Sequence, residues 1–376
     1  MMTSRERIHA ALNFECPDRL PVSDALWDGL QEVWINEGMP ADVSAADHFD
    51  WDITSMFIDA SPRFETIIHS RKDGMITFED RAGYTVTKTD GIGGTLDFID
   101  HKTKSEEDWY QKTKPKMILN DPSGTARIDS ASYFCHIDEY PTWEEAKEKY
   151  DRIYAQDRFV LFTAYGPWEA TWRHYAMDEL LMDVLEEPEW CADMFNTYTD
   201  LLLEVLQRGL DEGMKPDGLY IPEDMGFKTS LLISPNTWDA LLKPCYKRIS
   251  AFLQQHGIRF LMHSDGCIWD LIPRLIDVGV EALNPLECAA SMDINELRKR
   301  HPDTMACYGN ISVSNLLGSR NDLEQELLEK IPQAVNGGFI MHSDHSIPFG
   351  VKYEQYKWAR QRAQEIFEET RKQTLT

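Results

Sequence analysis

The chain has 376 residues, with 38 Lys+Arg against 64 Asp+Glu, a net charge of −26, 42% hydrophobic residues and 27% charged residues. That apolar share is enough to bury a core, which excludes intrinsic disorder, and no run of about 18 apolar residues exists to cross a membrane. So acidic a surface argues against non-specific nucleic-acid binding, which needs cations facing phosphates.

The seven cysteines (16, 135, 191, 245, 267, 288 and 307) are odd in number and scattered, and none forms a C-x-x-C. No apolar export-type stretch follows Met1. The expectation is a cytoplasmic protein with reduced cysteines, the alternative being a metal or redox role for Cys267 or Cys307.

In chain order, residues 3–13 predict a helix opened by a capping box, Thr3 with Glu6. Residues 19–24 (RLPVSD) predict a strand, and a further strand is expected near 52–58 or in the first part of 75–88. The segment 61–150 breaks the pattern. Within it, 75–80 and 84–88 flank Arg81-Ala82-Gly83 as an antiparallel hairpin, 91–94 is a Gly-rich loop, and 102–122 is charged and proline-containing. It is expected to be an insertion packed on a single domain spanning 1–376. Beyond it, short apolar runs with polar ends recur at 159–166, 218–224, 259–266, 282–287, 305–312 and 338–347. Between them lie amphipathic helices over 188–213, from Ser234-Pro235 to Gly257 with a kink or break at Pro244, from Asn321 and Glu324 to about Gly337, and over 353–372. Strand–helix alternation implies a parallel sheet, and this many units favour a (β/α)8 TIM barrel. The alternative, a doubly wound open sheet, lacks a G-x-G-x-x-G after its first strand.

In a barrel the C-terminal ends of the strands carry the chemistry. Here they supply Asp24, Glu223, Asp224, His263, Asp265, Glu287, Asn310, His342, Asp344 and His345. Spacings of one helix plus two loops would bring them to one mouth. Such a cluster is either a metal site with imidazole and carboxylate ligands or a metal-free polar network that binds a ligand. His263 and Asp265, at i and i+2, can reach one centre together. Trp168 and Trp172 either line a pocket for a flat ligand or pack the insertion onto the barrel. Tyr308 could reach the mouth. No G-x-S-x-G, P-loop or H-E-x-x-H is present, which argues against serine hydrolase, NTPase and zincin chemistry.

The ordered set Thr3-Ser4-Arg5-Glu6-Arg7, Pro17-Asp18-Arg19-Leu20-Pro21-Val22, Gly166-Pro167, Ser234-Pro235, His263-Ser264-Asp265-Gly266, Asn284-Pro285-Leu286-Glu287, Gly309-Asn310-Ile311 and Asp344-His345-Ser346-Ile347-Pro348 resembles the uroporphyrinogen decarboxylase superfamily nearly end to end. The resemblance implies a (β/α)8 barrel and one of two activities: decarboxylation of a porphyrinogen, or zinc-dependent methyl transfer involving a corrinoid protein. The decarboxylases carry arginines just after the first strand, whereas 24–32 here (DALWDGLQE) has no Arg or Lys. Thiol-directed methyltransferases use H-x-C and a later Cys. Here Asp265 stands in place of the first Cys and His345 in place of the second, an N/O set suited to polarising an ether or alcohol oxygen.

The resemblance therefore implies the corrinoid-dependent methyltransferase branch. An O-methylated small substrate would donate its methyl group to a corrinoid (cobalamin) carried by a partner protein. Zn²⁺ would be held by His263, His345 and a carboxylate from Asp265, Glu223 or Glu287. Glu223, Asp224 and Asn310 would act in catalysis, while Asp24, Trp168, Trp172 and Tyr308 would contact substrate. A homodimer is left open. The alternatives are a metal-free decarboxylase, with Asp24 or Asp224 steering a ring nitrogen, and a non-catalytic barrel that binds a corrinoid or another ligand.

Overall fold

A computed structural model of the chain describes residues 1–91, 96–119, 124–129 and 139–374. Its strands in chain order are β1 (Ile53–Ile58), β2 (Ile67–Lys72), β3 (Met75–Glu79), β4 (Tyr84–Thr89), β5 (Asp97–His101), β6 (Ile128–Asp129), β7 (Phe159–Thr163), β8 (Gly218–Pro222), β9 (Arg259–His263), β10 (Ala282–Asn284), β11 (Ala306–Ile311) and β12 (Phe339–Ser343).

β1 and β7 to β12 pair in parallel in sequence order. Residues 21–24 supply the eighth parallel member. On one side the Ser23 N–H donates to the Met341 carbonyl at 3.1 Å, and the Met341 N–H donates to that of Pro21 at 2.9 Å. On the other side the Asp52 N–H donates to the Val22 carbonyl at 2.6 Å, so the sheet closes on itself. The fold is a (β/α)8 barrel.

Both faces of a barrel strand are covered, so these strands read as continuous apolar runs; all five residues of β7 and of β12 are buried. Side chains alternate. Ile53, Phe159, Leu161, Leu261, Ala282, Ala306 and Ile340 fill the interior, while Val160 and Phe162 belong to the layer between sheet and helices.

The N-terminal helix Ser4–Leu12 packs Ile8, Ala11 and Leu12 against the interior cluster and plugs the lower end. Its capping box, Thr3 with Glu6, forms as expected. Asp52, fully buried, accepts from Arg7 Nη1 at 2.7 Å, Arg19 Nη2 at 2.7 Å, Ser4 Oγ at 2.6 Å and the Val22 N–H at 2.9 Å. The motif residues at the start of the chain thus form a structural clasp, opposite the mouth.

The expected hairpin is the centre of a four-stranded antiparallel sheet, β2-β3-β4-β5. Its own small core is Ile76, Phe78, Tyr84 and Val86. It is tied to the barrel beyond β1, where Asp59 meets Arg63 at 2.6 Å, Arg81 at 3.5 Å and Arg127 at 4.0 Å. Burial alone would raise the Asp59 pKa, but these guanidiniums outweigh it and hold the carboxyl far below its usual range. Residues 92–94 of the expected Gly-rich loop, and Cys135, lie outside the described residues. The other six cysteines are free.

Of the kink or break expected at Pro244, the structure shows the break: the 234–257 helix divides at residue 242 into Pro235–Leu241 and Lys243–His256. One helix expectation changes. The helix expected to start from an Asn321 cap is instead capped two residues earlier by Ser319, as Arg320–Lys330, and its end is a 3₁₀ segment, Ile331–Asn336. Among the described residues no helix is long and apolar enough to cross a membrane.

Candidate metal and substrate cleft

The strand ends open into a cleft of about 960 Å³, within the usual range for small-molecule sites. Its lining includes Asp24, Asp224, Asp265, Asp344, His263, His342 and His345, with Tyr220, Tyr308, Trp27 and Trp51, and contains no lysine or arginine among the described residues.

Asp265 stands at the centre of the polar groups. His263 Nε2 lies 3.6 Å from Asp265 Oδ2 and 3.4 Å from Asp224 Oδ1, while His345 Nε2 lies 3.6 Å from the same Asp265 Oδ2. Ligand atoms around a tetrahedral zinc ion sit about 3.3 Å apart, so these separations need little adjustment. Two triads bring their ligand atoms within 4.8 Å of one another: Asp224, His263 and Asp265; and Asp265, Glu287 and His345. Neither contains both histidines. The expectation of one ion gripped by His263 and His345 together becomes two triads sharing Asp265.

Both imidazoles are held in fixed orientations. Asn284 Nδ2 donates to the Tyr308 carbonyl at 2.6 Å, which turns its Oδ1 toward His263 Nδ1, also at 2.6 Å. His263 must then donate from Nδ1, leaving Nε2 to face Asp224 and Asp265. Tyr220 Oη donates to the same Oδ1 at 2.6 Å. For His345, Asp344 Oδ1 lies 3.5 Å from Nδ1, again leaving Nε2 toward Asp265. Asp344 is itself fixed by the Val313 N–H at 2.8 Å and the Cys288 N–H at 3.2 Å.

The carboxylates are equally fixed. Asp224 Oδ1 accepts from the Asp265 N–H at 3.0 Å, and Glu287 Oε2 from the Gly266 N–H at 2.7 Å. Gly266, at φ +83°, lies against the Gly226 backbone, where an added Cβ would approach to 2.4 Å. Only glycine lets the loops after β8 and β9 meet this closely.

Burial disfavours the charged His263 imidazole, but Asp265 and Asp224 outweigh it and raise its pKa well above the usual range. Asp344 raises that of His345. An environment that favours a proton so strongly also favours a metal cation. Asp265 Oδ1 provides the fit test: it is buried, and it has no hydrogen-bond partner among the described residues. A carboxylate oxygen so placed fits a cation.

Deeper in the cleft, Asp24 Oδ2 accepts from Ser343 Oγ at 3.0 Å and Tyr356 Oη at 2.9 Å. Burial raises its pKa against these donors and His342. Tyr308 packs edge-on against His342 with ring centroids 4.8 Å apart.

Four expected site residues lie elsewhere. Glu223 is fully buried and accepts from the Trp168 N–H at 3.1 Å, the Glu169 N–H at 2.8 Å and Tyr246 Oη at 2.5 Å. It caps the helix Pro167–His174, over Gly166, where a Cβ would meet its Oε2 at 2.1 Å. Burial moves its pKa up to about 8. Asn310 is also fully buried. It donates to the carbonyls of Leu286 at 2.6 Å and Met292 at 3.0 Å, accepts from the Ile294 N–H at 3.0 Å, and so fixes the loop after β10. Trp168 is buried against Phe195. Trp172 donates to Glu169 at 2.9 Å and meets Phe98 of the inserted sheet, ring centroids 5.2 Å apart. Trp172 thus packs the inserted sheet onto the barrel, while Trp168 packs within the helix layer.

Asn284 and Tyr220 received no role from the sequence. A polar residue ending an apolar strand was the available signal for Asn284. Tyr220 had none, since one tyrosine in a strand is ordinary core.

The family model for uroporphyrinogen decarboxylase (URO-D) matches residues 155–366, more than half of the chain. No curated protein matches it. Among solved structures, a methyltransferase from Methanosarcina mazei superposes with a TM-score of 0.63 at 13% sequence identity, over 100% of both chains, which shows a shared fold.

Proposed function

The chain belongs to the uroporphyrinogen decarboxylase family, and from that premise and the chemistry of its cleft we propose that it is a methyltransferase, taking a methyl group from the oxygen of a small methylated substrate and delivering it to the corrinoid of a partner protein. The observation that carries this reading is the all-N/O cup around Asp265, set in a cleft without lysine or arginine among the described residues. A porphyrinogen would bring several carboxylates into a cleft already lined by four, with no lysine or arginine among the described residues to pair with them. That favours methyl transfer over decarboxylation. The structurally similar methyltransferase from M. mazei supports the same choice.

Asp224, His263 and Asp265 would hold the divalent cation. When bound, it supplies Lewis acidity that makes the substrate oxygen a better leaving group. The residues do the rest. Asn284 fixes the His263 tautomer. Tyr220 and Tyr308 offer flat apolar walls beside the cup. Asp24, a cleft residue whose carboxyl pKa burial raises, would return a proton to the departing alkoxide oxygen once the C–O bond has broken and its electron pair has stayed on oxygen.

The test is methylation of free cob(I)alamin by a panel of methoxylated aromatic and aliphatic compounds, followed by the change in the cobalamin spectrum. Turnover that His263→Ala abolishes supports the proposal. Turnover of uroporphyrinogen, with no methyl transfer across the panel, overturns it.

A further inference from the structure

We propose that the cup binds two divalent cations, one on Asp224, His263 and Asp265 and a second on Asp265, Glu287 and His345, bridged by the Asp265 carboxylate. The second site rests on the reading of the first given above and extends it.

Three independent observations support the second cation. Asp265 Oδ2 is equidistant from the two imidazoles, 3.6 Å from each Nε2, while its Oδ1 is buried without a partner among the described residues. A carboxylate that faces ligands on two sides and keeps an oxygen free is arranged as a bridge. In two-metal sites generally, such bridges hold ions about 3.5–4 Å apart.

Each imidazole also has its own orienting oxygen, Asn284 Oδ1 for His263 and Asp344 Oδ1 for His345. Each half of the cup therefore presents an Nε2 donor toward Asp265 and a second carboxylate, Asp224 on one side and Glu287 on the other. A histidine serving only as a hydrogen-bond partner would not need this duplicated arrangement.

Finally, charge favours it. Asp224, Asp265, Glu287 and Asp344 crowd around two imidazoles, and no lysine or arginine lines the cleft among the described residues. One dication leaves this cluster of four carboxylates net negative, while two neutralise it.

The second ion would lie at the more open side, since the His345 side chain is 41% exposed against 23% for His263. It would meet a second oxygen of the substrate, which selects donors carrying a hydroxyl next to the methoxy group.

The experiment is zinc stoichiometry by equilibrium dialysis and elemental analysis, at physiological salt with excess Mg²⁺ to suppress surface binding. It uses the intact chain and the variants H345A, E287Q and H263A, each checked for an unchanged melting temperature. The proposal expects two equivalents in the unaltered protein, one in H345A, and one in H263A. E287Q keeps the first equivalent and weakens the second at least tenfold. A single equivalent that H263A removes and H345A leaves untouched overturns the second site and leaves the single-cation reading standing. No zinc at all removes both. Two equivalents with no methyl transfer keep the dinuclear centre and remove the methyltransferase reading instead.

Discussion

Replacing Asn284 with Ala removes the amide that sets the metal-binding face of His263. In the native structure this amide donates to the Tyr308 carbonyl and accepts from His263 Nδ1 and Tyr220 Oη, all at 2.6 Å. Without it the imidazole is free to place its proton on Nε2, the atom that must be bare to ligate. Groups that orient a ligand in this way contribute about 10–100-fold in metal affinity, equivalent to about 1.4–2.8 kcal/mol. The same change leaves the Tyr308 carbonyl without this donor, at a stability cost of about 1–3 kcal/mol. Zinc affinity, measured by competition with a chromophoric chelator, and the urea midpoint, measured on the zinc-free protein, separate the two effects. The expected result is a folded variant of lower midpoint whose zinc affinity is reduced at least tenfold. Unchanged zinc affinity in a folded N284A would refute the tautomer argument.

Other consequences concern stability and lie away from the cleft. Asp52→Ala strips the buried partner from Arg7 and Arg19, and should lower unfolding stability by about 3–5 kcal/mol, read from denaturant midpoints, with zinc stoichiometry unaffected. His174 is buried and stacks on Trp109, and burial pushes its pKa down to about 3. Below the unfolded value of about 6.5 only the unfolded chain takes up this proton, so stability falls as pH drops from there toward 3, by up to about 1.4 kcal/mol per pH unit. His174→Leu should flatten that slope, since Thr103 keeps its bond to Thr113. An unchanged pH slope in H174L would count against it.

The barrel was legible because its strands are buried on both faces and end in polar residues, a contrast that survives without any alignment. β2 was not: all six of its residues are exposed, so it lacks the apolar alternation that marks a half-buried strand. At the site, the i and i+2 argument for His263 and Asp265 worked because both extend from one strand end into the cup. Adjacent residues are harder. Glu223 and Asp224 follow one strand, yet the first turns inward to cap a helix and the second faces the cleft. Asn310 lies at a strand end with φ +70°, and its side chain is used up by neighbouring loop groups. Sequence marks polar residues at strand ends; tertiary packing decides which of them serve loops and which serve chemistry. The helix start at Ser319 was missed for a smaller reason: Ser319 with Asp322 caps as well as the chosen Asn321 with Glu324.

The account turns on a divalent cation held by nitrogen and oxygen alone. X-ray absorption at the zinc edge of the zinc-loaded protein tests this directly. The prediction is a coordination shell of light atoms at about 2.0–2.1 Å with imidazole scattering from His263. A sulfur shell at about 2.3 Å, reporting ligation by Cys267 or Cys288, would contradict it.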